Sequence, residues 1–175
     1  MNIFKQALKS DFEKLPELFK FIHGDEEFIE IIGEVEVKTS NDFFLKLIAF
    51  FSPIPPNGIH DTHLLILKFD ESEQWQRDFG DHKMYSEHFI ENETIFEKIG
   101  LLKIYYNLDI QGKTLYFTSF KTKFLNIELP KFLSPKISAT FDYLSENEYF
   151  MKIETFIFNN SLLARYFGKM SVYMI

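Results

Sequence analysis

The chain has 175 residues, a formal net charge of −7 and a sequence pI of about 5.3. That acidity argues against nucleic acid or an anionic membrane surface as the default partner, because both reward clustered Lys and Arg. Hydrophobic residues at 46% argue against global disorder, and the absence of cysteine excludes a disulfide framework or a Cys-based metal site.

The first segment, residues 3 to 22, reads as helical. Leu8, Phe12, Leu15, Leu18, Phe19 and Ile22 recur at steps of three and four, which places them on one helix face. Pro16 is costly in a helix interior, so two short helices or a kink are expected. His23-Gly24-Asp25 ends the segment, with Gly24 as a C-terminal cap. Charged residues from Lys5 to Glu17 break up any apolar stretch that could serve as a signal peptide, and no run approaches the length of a transmembrane helix. A cytoplasmic protein is expected, with no membrane span.

Residues 30 to 38 alternate as a half-buried strand. Gly33, Val35 and Val37 share one face, and Glu34, Glu36 and Lys38 the other. A short helix from Asp42 to Phe51 follows, capped by Ser40 or Asn41, and the Pro-rich stretch from Ser52 to Gly58 stops it. From there the reading is almost all β. Strands are expected near 62–70, 73–79, 82–90, 93–99, 101–110, 113–122, 136–144, 148–158 and 163–173. The connections are short, as at Gly80-Asp81 and Gln111-Gly112, and turns this tight join antiparallel neighbours. Residues 129 to 135 form the one long break.

The expected fold is therefore mainly β (α+β). It is a strongly curved antiparallel meander or up-and-down β-barrel of about 8–10 strands, with N-terminal helices and one helix inserted after the first strand. Closure is the usual way such a meander hides its edges. One domain is expected over 1–175, with the helical segment 1–24 packed on a β-rich body, 25–175. Twenty-two Phe and eight Tyr fit either a cavity lined with rings or a filled barrel.

Gln74-Trp75-Gln76-Arg77-Asp78-Phe79 is the least ordinary stretch. It holds the single tryptophan and one of two arginines, the other being Arg165. On a strand, Trp75, Arg77 and Phe79 share a face. An arginine among rings on a buried face must be paired or must bind an anion. Arg77 is thus either an anion anchor in an apolar cavity or a member of a structural ion pair.

Several stretches together resemble a bacterial family known as domain of unknown function 4166. They are His23-Gly24, Gly33-Glu34-Val35, Pro55-Pro56, Trp75-Gln76-Arg77-Asp78-Phe79 with Ser86, Gly100-Leu101, Leu129-Pro130, Pro135 and the closing Leu163-Ala164-Arg165-Tyr166-Phe167-Gly168. The resemblance runs from about residue 20 to the C-terminus and rests most on the Trp-x-Arg-x-Phe strand and the Tyr-x-Gly. The chain departs from the family's Gly-Pro-Leu step at Ile99-Gly100-Leu101, and has Ser138-Ala139-Thr140 in place of a charged position. Some relatives attach a nucleotide-dependent reductase domain. No Gly-x-Gly-x-x-Gly is present, so that activity is not implied here. The resemblance implies no reaction.

Other candidates are plainer. His60 and His63 lie an odd number of residues apart and so face opposite ways on a strand, and no metal site is expected. His23 reads as a residue at a helix end, and His82 and His88 belong to the next hairpins. Glu154 and Lys152 share a strand face with Phe150 and Phe156, and Glu154 is an ion-pair candidate for Arg77 or Arg165. Arg165 raises the same choice as Arg77: it is out of register with Tyr166 and Gly168, which favours an outward-facing residue over one lining a ligand site. No nucleophile motif, phosphate loop or cofactor signature occurs, so no catalytic residue and no cofactor are named, and no oligomeric state is implied.

Three functions follow as expectations. The first is a domain binding an apolar or amphipathic small molecule against Trp75, Arg77, Phe79 and Tyr166. The second is an enzyme or reductase accessory acting on a lipid-like substrate. The third is a solid-core interaction module without ligand.

Overall fold

The computed structural model describes residues 2–42, 54–158 and 160–173. The N-terminal segment divides where the sequence demands it. Helix α1 (Ile3–Leu8) begins at Asn2, whose side chain accepts from the amides of Phe4 and Lys5, and ends at Lys9 with φ of 53°. A 3-10 stretch (Lys9–Lys14) follows, and Pro16 stands at the N-cap of helix α2 (Glu17–Ile22). Pro16 has no amide proton to lose there, so it starts a helix instead of breaking one. The whole stripe from Leu8 to Ile22 is buried. His23, not Gly24, is the C-cap of α2, and its amide donates to Phe19. Gly24 is needed for space, because a Cβ there would stand 2.3 Å from the Lys20 carbonyl oxygen.

Eleven strands are described: β1 (Phe28–Thr39), β2 (Gly58–Lys68), β3 (Ser72–Phe79), β4 (His82–Glu91), β5 (Thr94–Ile99), β6 (Leu102–Gln111), β7 (Thr114–Phe124), β8 (Ile127–Glu128), β9 (Lys136–Tyr143), β10 (Glu148–Ile157) and β11 (Ser161–Tyr173). Ten of them close into an antiparallel barrel. β1 to β7 pair in sequence, β7 pairs with β9, and β9, β10 and β11 lead back to β1. The short β8 folds back on the end of β7 and stands outside the ring. Closure leaves none of these ten strands as an open edge. The helix expected from Asp42 to Phe51 lies outside the described residues beyond Asp42, whose amide is held by the Ser40 hydroxyl.

Two glycines bring β1 and β11 close enough to complete the ring. A Cβ on Gly168 would lie 2.0 Å from the Glu34 carbonyl oxygen, and one on Gly33 would lie 2.2 Å from that of Lys169. Neither residue has a left-handed φ; the requirement is close approach of backbones.

The N-terminal helices fill one end of the barrel. Phe4 is fully buried, its ring 5.9 Å from Phe117 and 6.5 Å from His88. Phe19 meets Tyr149 edge-on at 5.8 Å. Each such buried side chain stabilises the docked segment by about 2–3 kcal/mol of apolar transfer. No described helix is long and apolar enough to cross a membrane.

Candidate functional site

Alternation along β3 sends Glu73, Trp75, Arg77 and Phe79 into the barrel. The last three line a cavity of about 340 Å³. Tyr166 lines it from β11, its ring 6.3 Å from that of Phe79. All four of these side chains therefore line the same cavity. Most of the rest of the wall is aliphatic or aromatic, from Leu64 on β2 to Met151 on β10. Leu129, Leu133 and Pro135 extend it, and they come from the long break between β8 and β9.

Arg77 is not left alone in this apolar space. One terminal nitrogen donates to the Ser86 hydroxyl at 2.8 Å, and the other to Glu97 at 3.3 Å. The guanidinium lies 5.0 Å from the centre of the Trp75 ring, within cation–π range. Both side chains of the ion pair are largely buried, 13% exposed for Arg77 and 8% for Glu97. Tyr106 donates its hydroxyl to the second Glu97 oxygen at 2.9 Å. His88 stands 3.7 Å from the first.

These contacts decide the protonation states. Burial works against a charged Glu97, but His88, Arg77 and hydrogen bonds from Ser86 and Tyr106 outweigh it and hold the carboxyl below its ordinary range. Burial pushes the Tyr106 hydroxyl well up, and the Glu97 charge pushes it further, so it stays a donor. His88 is fully enclosed, and desolvation lowers it to about 4 despite Glu97. At neutral pH the cluster holds one cation, one anion and a neutral imidazole.

A second buried carboxylate, Glu73, lies behind Trp75 and ties the helical segment to β3. The Trp75 indole donates to it at 3.2 Å and the Asn2 amide at 3.4 Å, while His23 Nδ1 is 3.9 Å away. His23 stacks on Phe4 at 3.9 Å. Burial opposes the charge on Glu73, but His23 and Lys68 more than compensate and keep the carboxyl low. Burial likewise lowers His23. Lys68 adds a hydrogen bond to the Gly24 carbonyl at 2.9 Å.

The other candidates fall elsewhere. Glu154 meets Arg165, directly opposite on β11, at 2.6 Å, with Lys152 at 2.8 Å. Arg165 is 39% exposed, and neither it nor Glu154 lines the cavity that Arg77 faces. His63 pairs with Glu30 at 2.6 Å on the half-exposed side of β2, whereas His88 faces the interior, so the two do not meet. His60 lies 6.2 Å from the Phe79 ring. Among the described residues no group of three or more His, Asp or Glu is arranged to hold a metal ion.

Glu97, Glu73 and Tyr106 were not among the residues singled out from sequence, and His88 was read only as a hairpin histidine. A signal for them existed. Ile95, Glu97 and Ile99 share a strand face, as do Glu73 and Trp75, so alternation placed two carboxylates inward.

A family match covers residues 13–170, and the family is described as Domain of unknown function (DUF4166). No curated protein matches the chain. Among solved structures, a protein of unknown function of the DUF3598 family from Nostoc punctiforme PCC 73102 is similar over 83% of this chain at 12% identity, with a TM-score of 0.44. The alignment spans 47% of that protein's chain.

Proposed function

From the premise that this chain belongs to the family described as Domain of unknown function (DUF4166), we propose that it is a non-catalytic binding domain for an apolar or amphipathic small molecule. Residues 1–175 act as one domain, with the helices as the closed end of the container. The observation that carries the reading is the cavity of about 340 Å³ that reaches Arg77 through walls dominated by apolar side chains. Spaces of this size with few polar groups are characteristic of small-molecule sites. A solid-core module would have packed them shut. Trp75, Phe79 and Tyr166 supply the wall, and Arg77 with its partners supplies the polar end.

The test is ligand capture. Native mass spectrometry of the protein purified from its own host should show a bound mass released on denaturation, and the small polarity-sensitive fluorophore 1-aminonaphthalene should gain fluorescence on mixing. Ala139 lines the cavity on β9, so Ala139→Phe should reduce both signals while the far-UV spectrum stays that of a β protein. Bare protein in the spectrometer together with no 1-aminonaphthalene uptake would refute the binding reading.

A further inference from the structure

We propose that the cavity selects a single-chain apolar molecule with an uncharged hydrogen-bonding head, a hydroxyl, carbonyl or amide, and discriminates against carboxylate and phosphate heads. This rests on the binding reading above and specifies its ligand class. An arginine in an apolar cavity is ordinarily an anion anchor. Here the guanidinium already faces Glu97 at 3.3 Å, and Glu97 is held as a carboxylate by Arg77 and by the Tyr106 hydroxyl at 2.9 Å. Among the described residues lining the cavity, Arg77 and Glu97 are the charged ones, and their charges cancel. An entering anion would lose its hydration and meet a compensated cation beside a buried negative charge, so its desolvation would not be repaid.

A neutral head has no such deficit. It can accept from the guanidinium or donate to Glu97 without adding charge. His88 also lines the cavity, and its buried Nδ1 has no hydrogen-bond partner among the described residues. A buried imidazole nitrogen of this kind suits a neutral donor or acceptor. Size narrows the class further. A cavity of roughly 150 Å³ holds benzene, so about 340 Å³ takes on the order of a dozen heavy atoms. That matches one medium alkyl chain with a small head, and is far too small for a diacyl lipid.

The experiment displaces the small fluorophore 1-aminonaphthalene near neutral pH with dodecanol, dodecanamide and dodecanoate, which share one chain length and differ in the head. The alcohol and the amide are expected to displace at about tenfold lower concentration than the carboxylate. Glu97→Gln uncovers the Arg77 charge and should reverse the order in favour of dodecanoate. Dodecanoate equal to or better than the neutral ligands on the unmodified protein would overturn the head-group inference and leave the binding reading intact. A neutral preference that persists in a folded Glu97→Gln protein would also overturn it. If Glu97→Gln does not fold, the order on the unmodified protein decides. No displacement by any of the three, with no direct heat of binding, would remove the binding reading itself.

Discussion

Arg77 on β3 reaches across β4 to meet Glu97 on β5 at 3.3 Å inside the barrel. Twenty residues of sequence separate them, and Ser86 on the intervening strand takes the second guanidinium nitrogen. Neighbouring strands lie about 4.8 Å apart, so only two long side chains leaning together can close a gap of two strands. A place on the cavity wall and membership of a structural ion pair are therefore not alternatives for Arg77, since the residue that lines the cavity is also paired.

That pair should be strongly coupled. Arg77→Met and Glu97→Leu are each expected to cost about 3 kcal/mol or more, because each leaves a buried charge without its partner. The double variant should cost less than the sum, with a coupling energy of at least about 1 kcal/mol. Urea denaturation of the four proteins measures it, and additive losses would show that the pair does not act as a unit.

The outer arginine should behave differently. Arg165 is more than a third exposed, and Glu154 keeps Lys152 at 2.8 Å if Arg165 is removed. Arg165→Ala should therefore change stability by less than about 1 kcal/mol, and 1-aminonaphthalene uptake should be unchanged. A large loss of either would place Arg165 in the same cooperative network as Arg77.

Acid should destabilise the fold earlier than carboxylate titration alone predicts. His88 falls from an ordinary value of 6.5 to about 4 in the folded chain because it is desolvated. Between those values the unfolded chain binds more protons, so stability is full above about pH 6.5 and falls as pH drops toward about 4. The whole shift corresponds to roughly 3 kcal/mol. His23, also lowered by burial, acts in the same direction. Glu73 and Glu97 are held below their usual 4.5, so their contribution is intact above that value and is lost only as pH falls through their folded values. Thermal melts across this range should show a declining Tm, with a shallower decline in His88→Gln. A flat profile down to about pH 4.5 would contradict a neutral buried His88.

Closure of the ring should be sensitive to a single methyl group. A Cβ at Gly168 would meet the Glu34 carbonyl oxygen at 2.0 Å and the Val35 Cα at 2.9 Å, both backbone atoms with little room to move. Gly168→Ala is expected to cost about 2 kcal/mol or more as β1 and β11 are forced apart. Gly112→Ala is a useful contrast. It sits at φ of 61° in the open β6–β7 turn, where a Cβ would touch nothing within 4 Å, so its cost is limited to about 1 kcal/mol of backbone strain. Equal losses for the two would mean that close approach is not what Gly168 provides.

Local patterns determined much of this molecule. The three-and-four spacing from Leu8 to Ile22 and the position of Pro16 set two short helices with one buried stripe. Alternation in β3 set Trp75, Arg77 and Phe79 on one interior face, and tight turns made consecutive strands neighbours. These are properties of a few adjacent residues, so they are written in order along the chain. The start of β2 at Gly58 was less legible than the rest, because β2 opens with the polar residues His60 and Asp61 before the apolar run begins.

What tertiary structure alone decided is who stands opposite whom. That Glu97 and not Glu154 meets Arg77, that Glu73 joins His23 on the helical segment, and that β11 returns to β1 all depend on strand order and stagger around the ring. The inward parity of Glu97 and Glu73 could be read from the sequence, but their partners could not. Parity is a property of one strand, whereas a buried ion pair is formed by side chains that closure brings together from strands far apart in the chain.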